Sequence, residues 1–204
     1  MSALPSLSLL IAALSGAVAA LLLRSGLRLA AKTWVSRTPL ATYDCSVDLD
    51  GKPGVLWHAW GCRVTDPDAT DRQAWEHTDQ QRSAREHTIY GPYANDFGKP
   101  GFYKITFRVF GLGFGRSIEP VIVLDVVQAP FGGRTDYVLL GQRIVKAREL
   151  NGSYKDFSVF CYATGSGVYE YRCRVLPSAY RPDQHTIRFD AVKVYFHLPI
   201  WEVI

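Results

Sequence analysis

The chain has 204 residues, a formal net charge of +4 and a hydrophobic fraction of 48%. Arg24, Arg28, Lys32 and Arg37 lie in one short N-terminal stretch, so the rest of the chain is close to neutral. A near-neutral domain lacks the broad basic surface that nucleic-acid binding requires, and we expect no nucleic-acid partner. The 17 Gly and 11 Pro, together with 13% aromatic residues, are typical of a β-rich domain with many turns.

Residues 3–23 carry no charged side chain. At a helical rise of about 1.5 Å per residue they span roughly 30 Å, the thickness of a bilayer's hydrocarbon core. A cleaved secretory signal, a buried core helix and a single-pass transmembrane anchor compete as interpretations. Residues 1–8 lack the basic residues of a signal, and Leu21 to Leu23 continue the apolar run beyond the cleavage-like Ala17-Val18-Ala19. The segment is also too long and too uniformly apolar for a core helix of a small domain, and we predict an anchor.

Basic residues flank the predicted anchor only on its C-terminal side. Because positive charge is retained in the cytoplasm, we expect the N-terminus outside and the C-terminal domain in the cytoplasm. Arg24, Arg28 and Lys32 recur at intervals of four and would form one helical stripe, with Trp34 close by. This pattern predicts contact with membrane lipid headgroups and an interfacial aromatic residue.

Small residues also recur at intervals of four within the anchor, at Ala12, Gly16 and Ala20. Such spacing lets the backbone of another helix approach closely. An alanine-rich composition alone would produce the same pattern, and both explanations stay open. The helix-packing interpretation predicts contact with other subunits of a membrane complex.

We divide the chain into an anchor with its basic segment at residues 1–32, a linker at 33–43 and a β-domain at 44–204. Within the domain, residues 64–86 are polar and charged. This segment predicts an exposed insertion, with helical turns within 71–85.

The domain alternates apolar and polar residues with period two, which indicates β-strands. After two short candidates within 44–62, the predicted strands are residues 88–93, 101–110, 121–127, 137–150, 156–163, 168–176 and 186–198. The residues of 101–110 expected to face the core are Tyr103, Ile105, Phe107 and Val109. About eight or nine strands without a helical period between them predict an all-β fold, an antiparallel β-sandwich of the jelly-roll type.

The four cysteines are Cys45, Cys62, Cys161 and Cys173, and none forms a CxxC pair. A structural zinc site is therefore not expected. Cysteines in a cytoplasmic domain should be thiols, whereas an extracytoplasmic domain could pair them in two disulfides. Cys161 and Cys173 share the parity of apolar neighbours, so we expect both to face a core.

Three segments follow one another in the chain: Tyr90-Gly91-Pro92-Tyr93, Pro100 to Phe107 and Val123 to Val127. A strand that ends in a Gly-Pro turn, a strand with the pattern PG-x-Y-x-x-x-F and a strand containing LDV resemble the galactose-binding-like domains of the carbohydrate-binding-module type. The resemblance covers residues 87–195 and implies a jelly roll and, as one alternative, glycan binding. It carries over no sugar-contacting residue, because such domains bind through loops that vary freely.

No motif in the chain predicts catalysis. Gly111, Gly113 and Gly115 have the spacing of a nucleotide-binding loop, but that fingerprint requires a helix after it, and a strand follows Pro120. The five histidines show no metal-ligand spacing, and no paired carboxylates stand out. We predict no catalytic, cofactor-binding or metal-binding residue, and no enzyme.

Aromatic and arginine side chains in loops are the best candidates for contacts with a protein partner or a glycan. They are Trp75, Phe114, Arg116, Phe131, Arg134, Tyr180 and Trp201. The apolar residues 199–204 should pack on the domain, on a partner or at the membrane.

We therefore predict a non-enzymatic, single-pass accessory or structural subunit of a larger membrane protein complex, for example an energy-converting complex. It would dock through its transmembrane helix and its β-domain. The alternative is a membrane-anchored carbohydrate-binding module.

Overall fold

The computed structural model describes residues 36–46, 55–78, 87–130, 132 and 135–197. In this part of the chain, no helix is long and apolar enough to cross a membrane. The predicted anchor and its flank lie outside the described residues, with Ala12, Gly16, Ala20, Arg24, Arg28, Lys32 and Trp34. The predicted contact residues Phe131, Arg134 and Trp201 lie outside them as well.

The described residues form β-strands and one short 3₁₀-helix, Ala147–Glu149. The strands are β1 (Ala41–Asp44), β2 (Trp57–His58), β3 (Gly61–Thr65), β4 (Gln73–His77), β5 (Ile89–Tyr90), β6 (Pro92–Ala94), β7 (Gly101–Leu112), β8 (Pro120–Gln128), β9 (Val138–Lys146), β10 (Lys155–Ala163), β11 (Tyr169–Val175) and β12 (Thr186–His197). The last six match the predicted strands closely. β7, β10, β11 and β12 bury residues at alternate positions, whereas β8 is a nearly continuous buried run.

The strands make two antiparallel sheets. The first sheet has the order β10-β7-β12-β4-β3, and β1 also pairs with β12. The second sheet has the order β2-β5-β11-β8-β9, and β6 also pairs with β11. The predicted all-β, antiparallel architecture is confirmed, and it is consistent with a β-sandwich.

One hydrophobic core contains residues from both sheets. The expected core-facing side chains of β7, which are Tyr103, Ile105, Phe107 and Val109, are all at most 1% exposed. The second sheet contributes Leu124, Val126 and Tyr171, each fully buried. Burying one such side chain stabilises the fold by about 1.5–3 kcal/mol, so the paired faces supply much of the stability.

A loop before β7 inserts two side chains between the sheets. Phe97 is fully buried, and its ring centroid lies 4.2 Å from that of Tyr103 and 4.3 Å from that of Tyr169. The carboxylate of the preceding Asp96 accepts hydrogen bonds from Tyr43 at 2.7 Å and Tyr171 at 2.5 Å. Because these partners come from both sheets, the loop ties the two layers together at one end.

The segment 64–86 departs from the sequence expectation. Helical turns were expected within 71–85, but Gln73–His77 is a strand that forms a hairpin with β3, so that prediction is wrong there. The hairpin turn begins at Asp66, whose Oδ1 accepts a hydrogen bond from the Asp68 N–H at 3.0 Å. Arg188 then neutralises both Asp66 and Glu76, at 2.9 Å and 2.6 Å. Two of the carboxylates that suggested an exposed insertion are therefore paired within the sheet, whereas Asp68, Asp71 and Arg72 are exposed.

Residues 36–44 lie along β12. The Ser36 N–H donates to the Phe196 carbonyl at 3.3 Å, and the Leu40 N–H donates to the Val194 carbonyl at 2.7 Å. Part of the segment assigned to the linker, residues 33–43, therefore adds a strand to the first sheet.

All four cysteines are free thiols in this structure. Cys45, Cys161 and Cys173 are buried, and Cys62 is exposed. Burial raises the pKa of Cys161 to about 12, because the thiolate loses its hydration. The buried thiols behave as small apolar core residues.

Two isoleucines provide a matched test of the core. Ile105 in β7 is 0% exposed and Ile144 in β9 is 47% exposed. We expect Ile105→Ala to lower the free energy of unfolding by about 2–5 kcal/mol, because the core cannot fill the cavity. Ile144→Ala should change it by less than about 1 kcal/mol. Urea denaturation of both variants measures this, and similar losses would contradict the assigned core face.

Candidate functional site

The structure describes four of the predicted contact residues, and three of them are buried. Trp75 faces the core from β4 at 7% exposure, and Phe114, at 8% exposure, stacks on His185 with ring centroids 4.3 Å apart. Tyr180 is 3% exposed and donates to the His77 carbonyl at 2.5 Å. These three side chains pack in the interior of the domain. The expectation that they project from loops is therefore corrected. Arg116 lies in the exposed connection between β7 and β8.

Charged side chains cluster instead on the outer face of the second sheet. On β11, Tyr171 faces the core, so its neighbours Glu170 and Arg172 point to the opposite face. On β8, Leu124 faces the core, so Asp125 points outward. The strand register places Asp125 opposite Arg172. The core alternation therefore brings these charges together on one surface.

The Asp125–Arg172 pair is buried although it lies on an outer face. Arg172 Nε donates to Asp125 Oδ1 at 2.6 Å, and the two side chains are 18% and 5% exposed. The Tyr137 ring lies against the guanidinium, and its centroid is 5.8 Å from Arg172 Cζ. Removing a carboxylate from water is costly unless a cation pairs with it. The pair forms a polar cluster on the outer face of β8 and β11.

Glu170 lies beside this pair and is 2% exposed. The side chains of Tyr93 and Tyr137 lie near its carboxylate. Among the described residues, its Oε1 atom has no hydrogen-bond partner. Burial raises the pKa of Glu170, although the two tyrosines and Arg172 oppose this effect. An unsatisfied buried acceptor costs free energy.

Aromatic rings lie next to the Glu170 carboxylate. The ring of Trp57 in β2 lies 5.7 Å from that of Tyr90 and 5.4 Å from that of Tyr93, between centroids. Tyr93 has a φ angle of 59°, a left-handed conformation that is uncommon for a residue with a side chain. The chain adopts it where the Tyr93 hydroxyl reaches Glu170 and its ring reaches Trp57.

We call this surface the Glu170 face, and it consists of Trp57, Tyr93, Asp125, Tyr137, Glu170 and Arg172. It combines carboxylate acceptors, a guanidinium donor, hydroxyls and ring surfaces. This chemistry suits a ligand with many hydroxyl groups and apolar C–H faces. In the described ranges, no group of three or more His, Cys, Asp or Glu is placed to hold a metal ion.

A surface depression lies beside β9 and β10. It has a volume of about 530 Å³ and is lined by Arg143, Arg148, Glu149, Lys155, Asp156 and Phe157. Arg143 bonds the Glu149 carboxylate at 3.0 Å, and Lys155 donates to the Glu149 carbonyl at 2.7 Å. These contacts hold the 3₁₀-helix against the strands, so the depression has a structural explanation.

The residues of the Glu170 face were not predicted from the sequence, because contact residues were expected in loops. The charged residues within two strands could have indicated this face. Asp125 interrupts the apolar run 121–127, and Glu170, Arg172 and Arg174 occupy alternate positions of β11. Charged residues at the outward-facing positions of a central strand indicate a polar surface. Only the pairing register between strands shows which of these residues are neighbours.

His87 provides a pH test of this face. Its pKa is lowered from 6.5 to about 4, mainly by burial and also by Arg172 and Arg174, while Asp125 opposes the shift. The unfolded chain therefore binds the proton near pH 6.5 and the folded chain only near pH 4. We expect the free energy of unfolding to fall as the pH is lowered through this window. His87→Gln should make the free energy of unfolding less dependent on pH. Urea denaturation at pH 7, 5.5 and 4.5 measures this, and the same pH dependence in the wild type and the variant would contradict the prediction.

No protein-family model matches the chain, and no curated protein sequence matches it significantly. Solved structures do resemble it. The tandem CBM22-1–CBM22-2 domain of Xyn10C from Paenibacillus barcinonensis has a TM-score of 0.50 and 10% identity, over 79% of this chain and 46% of that chain. The match shows that the domain shares its fold with a carbohydrate-binding module.

Two further structures are similar at lower scores. The CBM22-1–GH10 modules of endo-1,4-β-D-xylanase 10B from Clostridium thermocellum, complexed with xylohexaose, give a TM-score of 0.49 and 14% identity, over 78% of this chain and 28% of that chain. A carbohydrate-binding module of Cellvibrio mixtus lichenase 5A, in complex with cellotriose, gives 0.47 and 13%, over 77% and 97%. The predicted resemblance is confirmed at the level of the β-sandwich domain.

Proposed function

We propose that the β-domain is a non-catalytic, glycan-binding module of the jelly-roll type whose ligand lies on the Glu170 face. The observation that carries the proposal is the cluster of Asp125, Glu170 and Arg172, which shares one outer face with aromatic side chains such as the half-exposed Tyr137.

The Glu170 face matches the two kinds of surface that a sugar presents. The Trp57 ring can stack on the C–H face of a pyranose. Arg172, whose side chain is 18% exposed, can donate a hydrogen bond to a sugar hydroxyl. Because Glu170 and Asp125 are already buried, the ligand does not have to remove these charges from water. This preorganisation lowers the free-energy cost of binding.

The fold supports the same function. The tandem CBM22 domain shows that a carbohydrate-binding module can share this β-sandwich. Because fold alone does not determine function, the residues of the Glu170 face provide the argument for a glycan ligand. The accessory-subunit interpretation depends on the predicted anchor at residues 3–23, and no observation on the described residues favours it over glycan binding.

Titration of the full-length chain in detergent micelles with xylan, mixed-linkage β-glucan and cello-oligosaccharides tests the proposal. We expect binding to at least one of these glycans. Trp57→Ala should weaken that binding about tenfold or more, since an aromatic residue central to a binding site contributes more than about 1 kcal/mol. Glu170→Gln should also weaken it, because the change removes a negative charge that interacts with Arg172.

Phe160→Ala is the matched control. Phe160 is an exposed aromatic residue on the other sheet, at 58% exposure, so its loss should leave glycan affinity unchanged. Circular dichroism establishes that each variant is folded. If Trp57→Ala and Phe160→Ala bind every glycan equally well, the assignment of the site is wrong. If the wild type binds no glycan, the proposed function is wrong.

A further inference from the structure

The outer face of the first sheet carries exposed aromatic and apolar side chains with no role in the Glu170 face. Strand register aligns them in rows. One row contains Tyr162, Phe102 and His197. The next row contains Phe160, Lys104 and Tyr195, and Leu40 extends it beyond β1. We call these residues, together with Lys193, the aromatic-lysine patch.

Several side chains in the aromatic-lysine patch are unusually exposed for their type. Phe160 is 58% exposed, Leu40 is 54% exposed and Tyr162 is 41% exposed. The Tyr162 and Phe102 rings meet edge to face, with centroids 5.3 Å apart. A contiguous apolar surface on a folded domain indicates a contact with something else.

The charges of this surface have one sign. Lys104 lies in the second row, and Lys193 lies in a third row with Ser158, Thr106 and Thr42. All the residues of the three rows are described, and none is Asp or Glu. The first carboxylate along β10 is Asp156, in the following row opposite Arg108. The patch therefore complements a negatively charged, partly apolar surface.

We propose that the aromatic-lysine patch rests on a lipid bilayer that contains anionic headgroups. Lysines beside Phe, Leu and Tyr match the boundary between headgroups and acyl chains, where lysine meets phosphate and the apolar side chains enter the interface. Leu40 and Phe160 have no polar group with which to bind sugar hydroxyls, so lipid suits them better than a glycan.

The place where the described domain begins supports a lipid bilayer as the partner of the aromatic-lysine patch. The described domain begins at Ser36, whose N–H donates to the Phe196 carbonyl at 3.3 Å, next to His197 of the patch. Only residues 24–35 separate Ser36 from the predicted anchor at residues 3–23. Such a segment reaches at most about 40 Å when fully extended. A domain tethered in this way would meet the bilayer at a high effective concentration.

The outer faces of two packed sheets point in opposite directions. A domain that rests on its first sheet would therefore direct the Glu170 face away from the bilayer. The inference concerns a different surface from the proposed glycan site, and either can fail without the other.

A fluorescent label at position 160 tests the proposal in the full-length chain. In a Cys62→Ser background the remaining cysteines are buried, so a bimane label can be attached at Phe160→Cys or at the control position Ile144→Cys. Ile144 is 47% exposed on the second sheet. In vesicles of phosphatidylcholine and phosphatidylglycerol with spin-labelled lipid, we expect a blue shift and severalfold stronger quenching at 160 than at 144.

The lysines are tested separately in the labelled 160 variant. Lys104→Gln with Lys193→Gln should remove most of the excess quenching, whereas Lys146→Gln on β9 should not. Pure phosphatidylcholine vesicles should give weaker quenching at 160 than the anionic vesicles. Equal quenching at 160 and 144, equal quenching in both vesicle types, or a label at 160 that is already shielded without vesicles would each overturn the proposal.

Discussion

The packing of the two sheets against each other controls the chemistry of every other surface of this domain. Side chains along a strand alternate between two faces, so each residue assigned to the core determines the direction of its neighbours. Ile105 and Phe107 face inward, and Lys104 and Thr106 therefore lie on the outer face of the first sheet. Tyr171 faces inward on β11, and Glu170 therefore lies on the outer face of the second. A register slip of one residue would exchange the core with the functional surfaces.

The outer faces of the two sheets differ in the surroundings of their charged side chains. On the second sheet, Asp125 and Glu170 are buried, and Arg172 forms an ion pair with Asp125. On the first sheet, Lys104 lies among exposed rings and no carboxylate shares its row. A surface of paired charges and aromatic rings suits a hydroxyl-rich ligand, whereas a cationic and apolar surface suits an anionic membrane.

Buried charge is not in itself a sign of a binding site in this domain. Asp190 is 2% exposed, yet Arg108 pairs with it at 2.5 Å, and Thr70 donates to it through its hydroxyl at 2.8 Å. All of these partners are internal, and they hold the β3–β4 turn against β12. Glu170 differs because, within the described part of the chain, one of its oxygens has no partner.

The sequence by itself determined the strand content, the core face of β7 and the antiparallel all-β class, because these follow from local alternation and from turn residues. It also located the resemblance to carbohydrate-binding modules, since the Gly-Pro turn and the long strands are local patterns. It misplaced Trp75 and Tyr180, because polar neighbours made buried residues resemble loop contacts. Only the tertiary structure brought Glu170 to Tyr93 and Asp125 to Arg172, because these contacts join strands far apart in the chain. The pairing register between strands, which local pattern cannot specify, decided which outward residues share a surface.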